Sequence, residues 1–298
     1  MPSLGARAFT WVLRLIRRNR SLASSAALSS GIAQARSRGP VLPSPRLRKR
    51  LRVSEQDIDG HRVYTLAPAA DIAGSKHVLY LHGGAFVRSI TGYHWRFLQH
   101  LVETSGCTVT VPLYPLAPEH CGLEALGFAL KVYDRVAQTV APEALVMMGD
   151  SAGGNLALTT TLALRDRSQP LPHGLVLIAP VADVSLIHPD ISAIEPLDPM
   201  LATPGLQEAG RLYAGDIALD DPYISPLHAQ LSGLPPMTIY AGTHDILYPD
   251  IIALADKARR QGTEVELIVG PEMIHVWPIL PFAEGYAARN HIAARVAR

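Results

Sequence analysis

The 298-residue chain predicts an α/β fold with a mostly parallel central sheet and helices on both faces. Three observations carry this: short apolar runs recur along the chain, helix-like stretches separate them, and a glycine-flanked serine sits where one run meets one helix. The runs fall at 77–81, 108–111, 144–148, 174–179, 237–241 and 265–269. Most lack a polar residue at every second position, as expected of strands covered on both sides. Residues 62–67 alternate instead and predict an edge strand. Helices are expected near 92–104, 124–140, 152–166, 249–261 and 283–296. The Pro- and Asp-rich stretch 183–226 breaks the rhythm and predicts an insertion. A chain of this length can bury one large core, so the expected division is a catalytic domain over 51–298 preceded by an arm over 1–50.

Composition narrows the class. Apolar residues make up 48% and charged residues 18%, which argues against general disorder. Two cysteines, Cys107 and Cys121, are too few for a disulfide framework or a structural zinc site, and they favour a reducing, cytoplasmic setting. No His/Cys cluster or H-E-x-x-H pattern implies a metal, and no cofactor is expected.

The net charge of +1 conceals a polarity. Residues 1–52 hold 12 of the 27 Lys and Arg and no acid, which leaves a body of formal charge −11. A basic arm of this kind suits an anionic membrane, nucleic acid or the acidic body itself. No nucleic-acid module accompanies it, so nucleic acid ranks last. Within 8–20, Trp11, Leu15 and Ile16 lie near one face and Arg14, Arg17 and Arg18 largely opposite. Such a helix can lie on a membrane or pack on the protein. The Arg- and Ser-rich, acid-free segment also resembles a transit peptide in composition, and residues 35–50 read as a linker.

The chemistry is carried by motifs. Gly149-Asp150-Ser151-Ala152-Gly153 lies between a strand-like run and a helix, the setting a nucleophile elbow requires. By composition such a motif arises by chance in about one chain in ten, so its placement matters more than its presence. His82-Gly83-Gly84-Ala85-Phe86 follows directly on the run 77–81, and glycine N–H groups there can hold an oxyanion. Gly83, Gly84 and Ala152 are the expected donors. In this motif order an acid and then a histidine follow the serine. Asp245 lies just past the run 237–241, and His275 lies in the loop after 265–269. Asp183 is the rival acid, His291 falls on the terminal helix, and His244 reads as a surface residue.

Taken together, His82–Phe86, Tyr114-Pro-Leu-Ala-Pro-Glu119, Gly149–Asn155, Asp221-Pro-Tyr-Ile-Ser-Pro-Leu227, Gly242-Thr-His-Asp245 and His275 resemble the hormone-sensitive-lipase-like branch of the α/β hydrolases. The resemblance covers roughly 60–290. It implies the α/β-hydrolase fold, carboxylesterase activity by a Ser-His-Asp triad, and a helical cap built from 1–50 and 183–226; the lack of a long apolar lid helix in the sequence favours a small acyl group. An amide substrate, or a ligand-binding relative without catalysis, remains the alternative. One departure stands out. The family commonly has Asp-Tyr-Arg-Leu-Ala-Pro-Glu, whereas this chain has Leu113 and Pro115 at the Asp and Arg positions, which leaves the loop without its usual ion pair.

Overall fold

The apolar runs become the strands of one sheet in a computed structural model that describes residues 1–70 and 76–297. The strands are β1 (Arg52–Ile58), β2 (His61–Ala67), β3 (His77–Leu81), β4 (Thr108–Pro112), β5 (Leu145–Asp150), β6 (Gly174–Ile178), β7 (Met237–His244) and β8 (Val265–Ile274). Their order is β1-β2-β4-β3-β5-β6-β7-β8. Pairings β1/β2 and β2/β4 are antiparallel, and those from β4 to β8 are parallel. The whole of β5 is buried, which explains its lack of a polar face. β1 escaped the sequence reading because five of its seven residues are exposed, leaving Val53 and Ile58 as its apolar anchors; β1, not β2, forms the edge of the sheet.

The helices are α1 (Leu4–Leu15), α2 (Ser25–Arg38), α3 (Pro45–Arg50), α4 (Gly92–Ser105), α5 (Gly122–Ala137), α6 (Ala152–Asp166), α7 (Ile191–Ile194), α8 (Thr203–Ala214), α9 (Tyr248–Arg260) and α10 (Ala283–Val296). On the sheet, α4 packs with α10 and α5 with α6. The N-terminal segment is more ordered than a linker. Ser3, Ser24 and Ser44 accept backbone N–H groups at the starts of α1, α2 and α3, which is how a Ser-rich stretch yields three helices. α1 begins earlier than expected at Ser3, and Arg17, at φ 49°, turns the chain away after it. The side chain of Arg18 lies outside the described residues.

α2 packs on α8 of the insertion and α1 touches α10. Polar and aromatic clasps help to hold this segment down. Ser3 Oγ donates to Glu284 at 2.7 Å, and Trp95 Nε1 donates to the Val41 carbonyl at 2.7 Å. Phe9 meets Phe282 edge to face at 5.8 Å. Arg36 forms a bidentate pair with Glu119 at 2.8 Å and also donates to the carbonyls of Val87 and Ala117. The guanidinium that the loop 113–119 lacks in its own sequence is thus supplied from α2.

Candidate active site

Ser151 sits on the turn from β5 into α6 with φ 53° and ψ −121°, a sparsely populated conformation costing on the order of 1–3 kcal/mol. Backbone bonds to the end of β6 hold it there: Ser151 N–H donates to Ile178 at 2.8 Å, and Val181 N–H donates to Ser151 at 3.1 Å. The turn closes only with small neighbours. A Cβ on Gly149 would lie 2.2 Å from the Gly153 carbonyl oxygen, and one on Gly153 would lie 2.0 Å from that of Leu81.

β7 and β8 run side by side to the same rim of the sheet, and Asp245 and His275 each follow directly on the end of their strand. His275 Nδ1 lies 2.7 Å from Asp245 Oδ2, and His275 Nε2 lies 2.9 Å from Ser151 Oγ. The carboxylate only accepts, so Nδ1–H donates to it and Nε2 receives the Ser151 hydroxyl proton. All three side chains are buried. Burial works against charge on His275, yet Asp245, then Asp198 and Asp150, outweigh it and raise the imidazole above its ordinary value.

The other sequence candidates lie elsewhere. Asp183 engages Ser185 N–H at 2.8 Å, Ser225 Oγ at 3.2 Å and His228 Nε2 at 3.3 Å, away from His275. His291 bonds the Tyr240 hydroxyl at 2.6 Å. His244 is half-buried at the end of β7. His82 is buried against the Tyr114 ring, with its Nδ1 at 2.8 Å from the Gly83 carbonyl, and burial pushes its imidazole down to about 4.

One of the expected oxyanion donors is engaged elsewhere. The N–H of Gly83, expected to face substrate, donates to Asp150 Oδ1 at 2.9 Å. The reason is that Asp150 is a buried carboxylate and gathers every donor within reach: Gly83 N–H, the Tyr80 hydroxyl and His94 Nε2 at 3.2 Å. Burial alone would raise the Asp150 carboxyl; His94, Tyr80 and Gly83 together hold it below the ordinary carboxylate value. Thr91 N–H points at His94 Nδ1 at 2.9 Å, so the proton of that ring is on Nε2. Beyond Gly83, the chain takes three consecutive positive φ values, at Gly84 (140°), Ala85 (53°) and Phe86 (63°). A Cβ at Gly84 would lie 2.2 Å from the Arg88 carbonyl oxygen, so only glycine fits. Among the described residues, the N–H groups of Gly84, Ala85 and Ala152 meet no protein acceptor.

A cleft of about 510 Å³ opens onto Ser151 and His275. Phe9 and Leu13 of α1 with Ile16 just after it form one wall, and Met200, Leu201 and Leu206 from the stretch 183–226 form another. Sequence reasoning missed Asp198, a buried carboxylate in this insertion. It accepts Met200 N–H at 2.7 Å, Leu201 N–H at 2.9 Å and Ile246 N–H at 3.1 Å. The only sequence signal was an aspartate in an apolar context, Leu197-Asp198-Pro199-Met200-Leu201, which the Pro- and Asp-rich composition of the insertion masked.

Residues 78–279 match the alpha/beta hydrolase fold family. A triacylglycerol lipase of Mycobacterium tuberculosis is 32% identical over 224 residues, covering 74% of this chain and 46% of the lipase. This chain therefore spans about half the length of that relative. An esterase of Acinetobacter venetianus is 32% identical over 66% of this chain and 65% of its own. An acetyl-hydrolase of Streptomyces hygroscopicus is 33% identical over 68% and 70%. Among solved structures, the hormone-sensitive-lipase homologue EstE7 from a metagenome library superposes with a TM-score of 0.85 at 27% identity, covering 99% of both chains. With the motifs, the sheet order and these likenesses in agreement, the chain belongs to the alpha/beta hydrolase fold family, on its hormone-sensitive-lipase-like branch.

Proposed function

We propose that this protein is a serine carboxylesterase acting on small acyl esters through Ser151, His275 and Asp245. The observation that carries the reading is the unbroken chain of hydrogen bonds from Asp245 through His275 to Ser151, 2.7 and 2.9 Å long, on the floor of a cleft. Ser151 Oγ attacks the ester carbonyl carbon as His275 Nε2 takes its proton. The oxyanion is held by the N–H groups of Gly84, Ala85 and Ala152. Collapse of the tetrahedral intermediate expels the alcohol, which takes the proton from His275 and leaves an acyl group on Ser151. Water, deprotonated by His275, then repeats the attack and releases the acid. Asp245 holds the ring in the required tautomer and stabilises the imidazolium.

Hydrolysis of p-nitrophenyl butyrate by Ser151→Ala protein tests the role of the serine; turnover should fall at least about 10³-fold. Near-wild-type turnover would refute it. The cleft volume and its two apolar walls favour short acyl chains, so kcat/KM should peak at acetyl to hexanoyl across a nitrophenyl series. Activity seen only on long-chain emulsions would reverse that preference. Covalent labelling by a fluorophosphonate, dependent on His275, separates an enzyme from a ligand-binding relative.

The N-terminal helices and the insertion act as the cap over the cleft in this reading, and α1 has a second face. Trp11 is 63% and Leu15 65% exposed, with Leu4, Val12 and Ile16 also exposed beside them. Arg7, Arg14 and Arg17 lie exposed nearby, and no acid occurs in residues 1–52. That combination fits peripheral contact with an anionic lipid surface, delivering apolar esters at the cleft mouth. Co-sedimentation of the full chain with phosphatidylglycerol vesicles should be lost in Trp11→Ser/Leu15→Ser protein. Equal pelleting of both would remove the idea. No helix among the described residues is long and apolar enough to cross a membrane.

A further inference from the structure

Two buried carboxylates, not one, hold the turn that carries the triad acid. Asp245 Oδ1 accepts Leu247 N–H at 2.9 Å, and Asp198 Oδ2 accepts the preceding N–H, that of Ile246, at 3.1 Å. Asp198 comes from the other side of the cleft, 47 residues earlier, and is 3% exposed. Its second oxygen binds Met200 and Leu201, which wall the cleft. The neighbouring Leu197 carbonyl accepts Arg14 Nη2 of α1 at 3.2 Å. One side chain therefore joins the wall of the cleft on one oxygen to the Asp245 turn on the other.

We propose that Asp198 is a positioning residue that locks the Asp245 turn to the wall of the cleft, so that the placement of the cap insertion and the hydrogen bond from His275 to Asp245 are set together. Three N–H donors make this more than a turn-forming aspartate, since an Asx turn needs only Met200 and Leu201. Among the described residues no lysine or arginine pairs with it. The titratable groups facing it are Asp245 after β7 and His275 after β8; His275 also faces Asp150 at the end of β5. Burial first, and Asp245 second, push Asp198 up to about 7, while its negative charge in turn favours protonated His275. Asp198 therefore helps to stabilise the imidazolium formed during acyl transfer, without touching substrate.

The proposal rests on the triad reading, and its test separates the two. In Asp198→Asn protein the amide oxygen can keep Met200 and Leu201, but the amide nitrogen has no lone pair for Ile246. Loss of the charge lowers the His275 pKa, and the unprotonated ring is the active form. The acid limb of kcat/KM should thus move about one unit to lower pH, while kcat falls about tenfold as the turn loosens. A merely structural role would lower kcat or thermal stability and leave the limb in place, which overturns the proposal. Asp198→Ser keeps an acceptor for Met200 and Leu201 and should show the same displacement if the asparagine variant does not fold. If Ser151→Ala is inactive while the limb is unmoved, the triad stands and only the role of Asp198 fails.

Discussion

The rim of the sheet and the N-terminal segment hold their parts in opposite ways. At the rim, Ser151, Asp245, His275 and Asp150 are buried, and each finds partners within hydrogen-bond reach from adjoining strand ends. In the N-terminal segment, α1 exposes much of its apolar side, and attachment combines the burial of single residues such as Leu13, Leu28, Ile32 and Leu47 with a few long-range clasps. The difference teaches where precision lies. The rim is over-determined, so changes there act on chemistry or on folding as a whole; the segment is held at points, so changes there act by degree.

The largest break in that contrast is expected from Asp245→Asn. The turn should survive, but His275 would be offered the wrong partner, and kcat on p-nitrophenyl butyrate should fall about 10³–10⁴-fold with little change in thermal midpoint. Gly153→Ala tests over-determination directly. Its methyl would meet the Leu81 carbonyl at 2.0 Å, so stability should drop by about 3 kcal/mol or more in urea unfolding. A soluble, fully active Gly153→Ala enzyme would show that the elbow yields more easily than argued.

Arg36→Met probes the clasps. It removes a partly exposed bidentate pair and two carbonyl bonds, and the expected cost is about 1–2 kcal/mol, seen with a severalfold rise in KM as the cleft wall loosens. Unchanged KM would mean that α2 is held by its apolar contacts alone. The smallest effect is a pH-dependent one inside the body. Asp250 is buried, its Oδ2 lacks a partner, and burial, with Asp183 adding to it, pushes its carboxyl up to about 7. A carboxyl whose pKa is raised on folding binds its proton more tightly in the native state. Its stabilising share is thus present below the ordinary carboxylate value of 3.8 and is lost as pH rises from there through about 7. Asp250→Asn should therefore gain on wild type between about pH 4 and pH 7, by at least about 1 kcal/mol, and keep that gain at pH 8.5, measured by urea unfolding across the range. Equal stability of the two at pH 8.5 would mean that the charge is solvated.

Legibility along the chain follows the same division. Ser151 could be named because its motif is local and its strand-to-helix setting is visible in five residues. Asp245 and His275 could be named because parallel strands end at a common rim, so chain order implies convergence. Spacing left Asp183 as a rival acid, and in the fold it lies with Ser225 and His228 rather than with His275. Gly83 was assigned to the oxyanion from its motif alone, and the sequence could not indicate that Asp150 would capture its N–H from 67 residues away. β1 and α2 went unread for a different reason: their exposed faces carry no apolar period.

By itself the sequence determined the strands β2 to β8, the glycine-lined turn at Ser151 and the chain order of Ser151, Asp245 and His275. All three arise from local pattern: burial on both faces, a glycine-lined turn, and strands running one way. Only the tertiary structure decided which N–H groups at the cleft meet no acceptor among the described residues, that Arg36 supplies the guanidinium absent from the loop it anchors, and that Asp198 stands beside Asp245. Those outcomes depend on competition among buried donors and acceptors for partners distant in the chain. Linear spacing does not encode such a competition, because its result depends on which groups desolvation forces together.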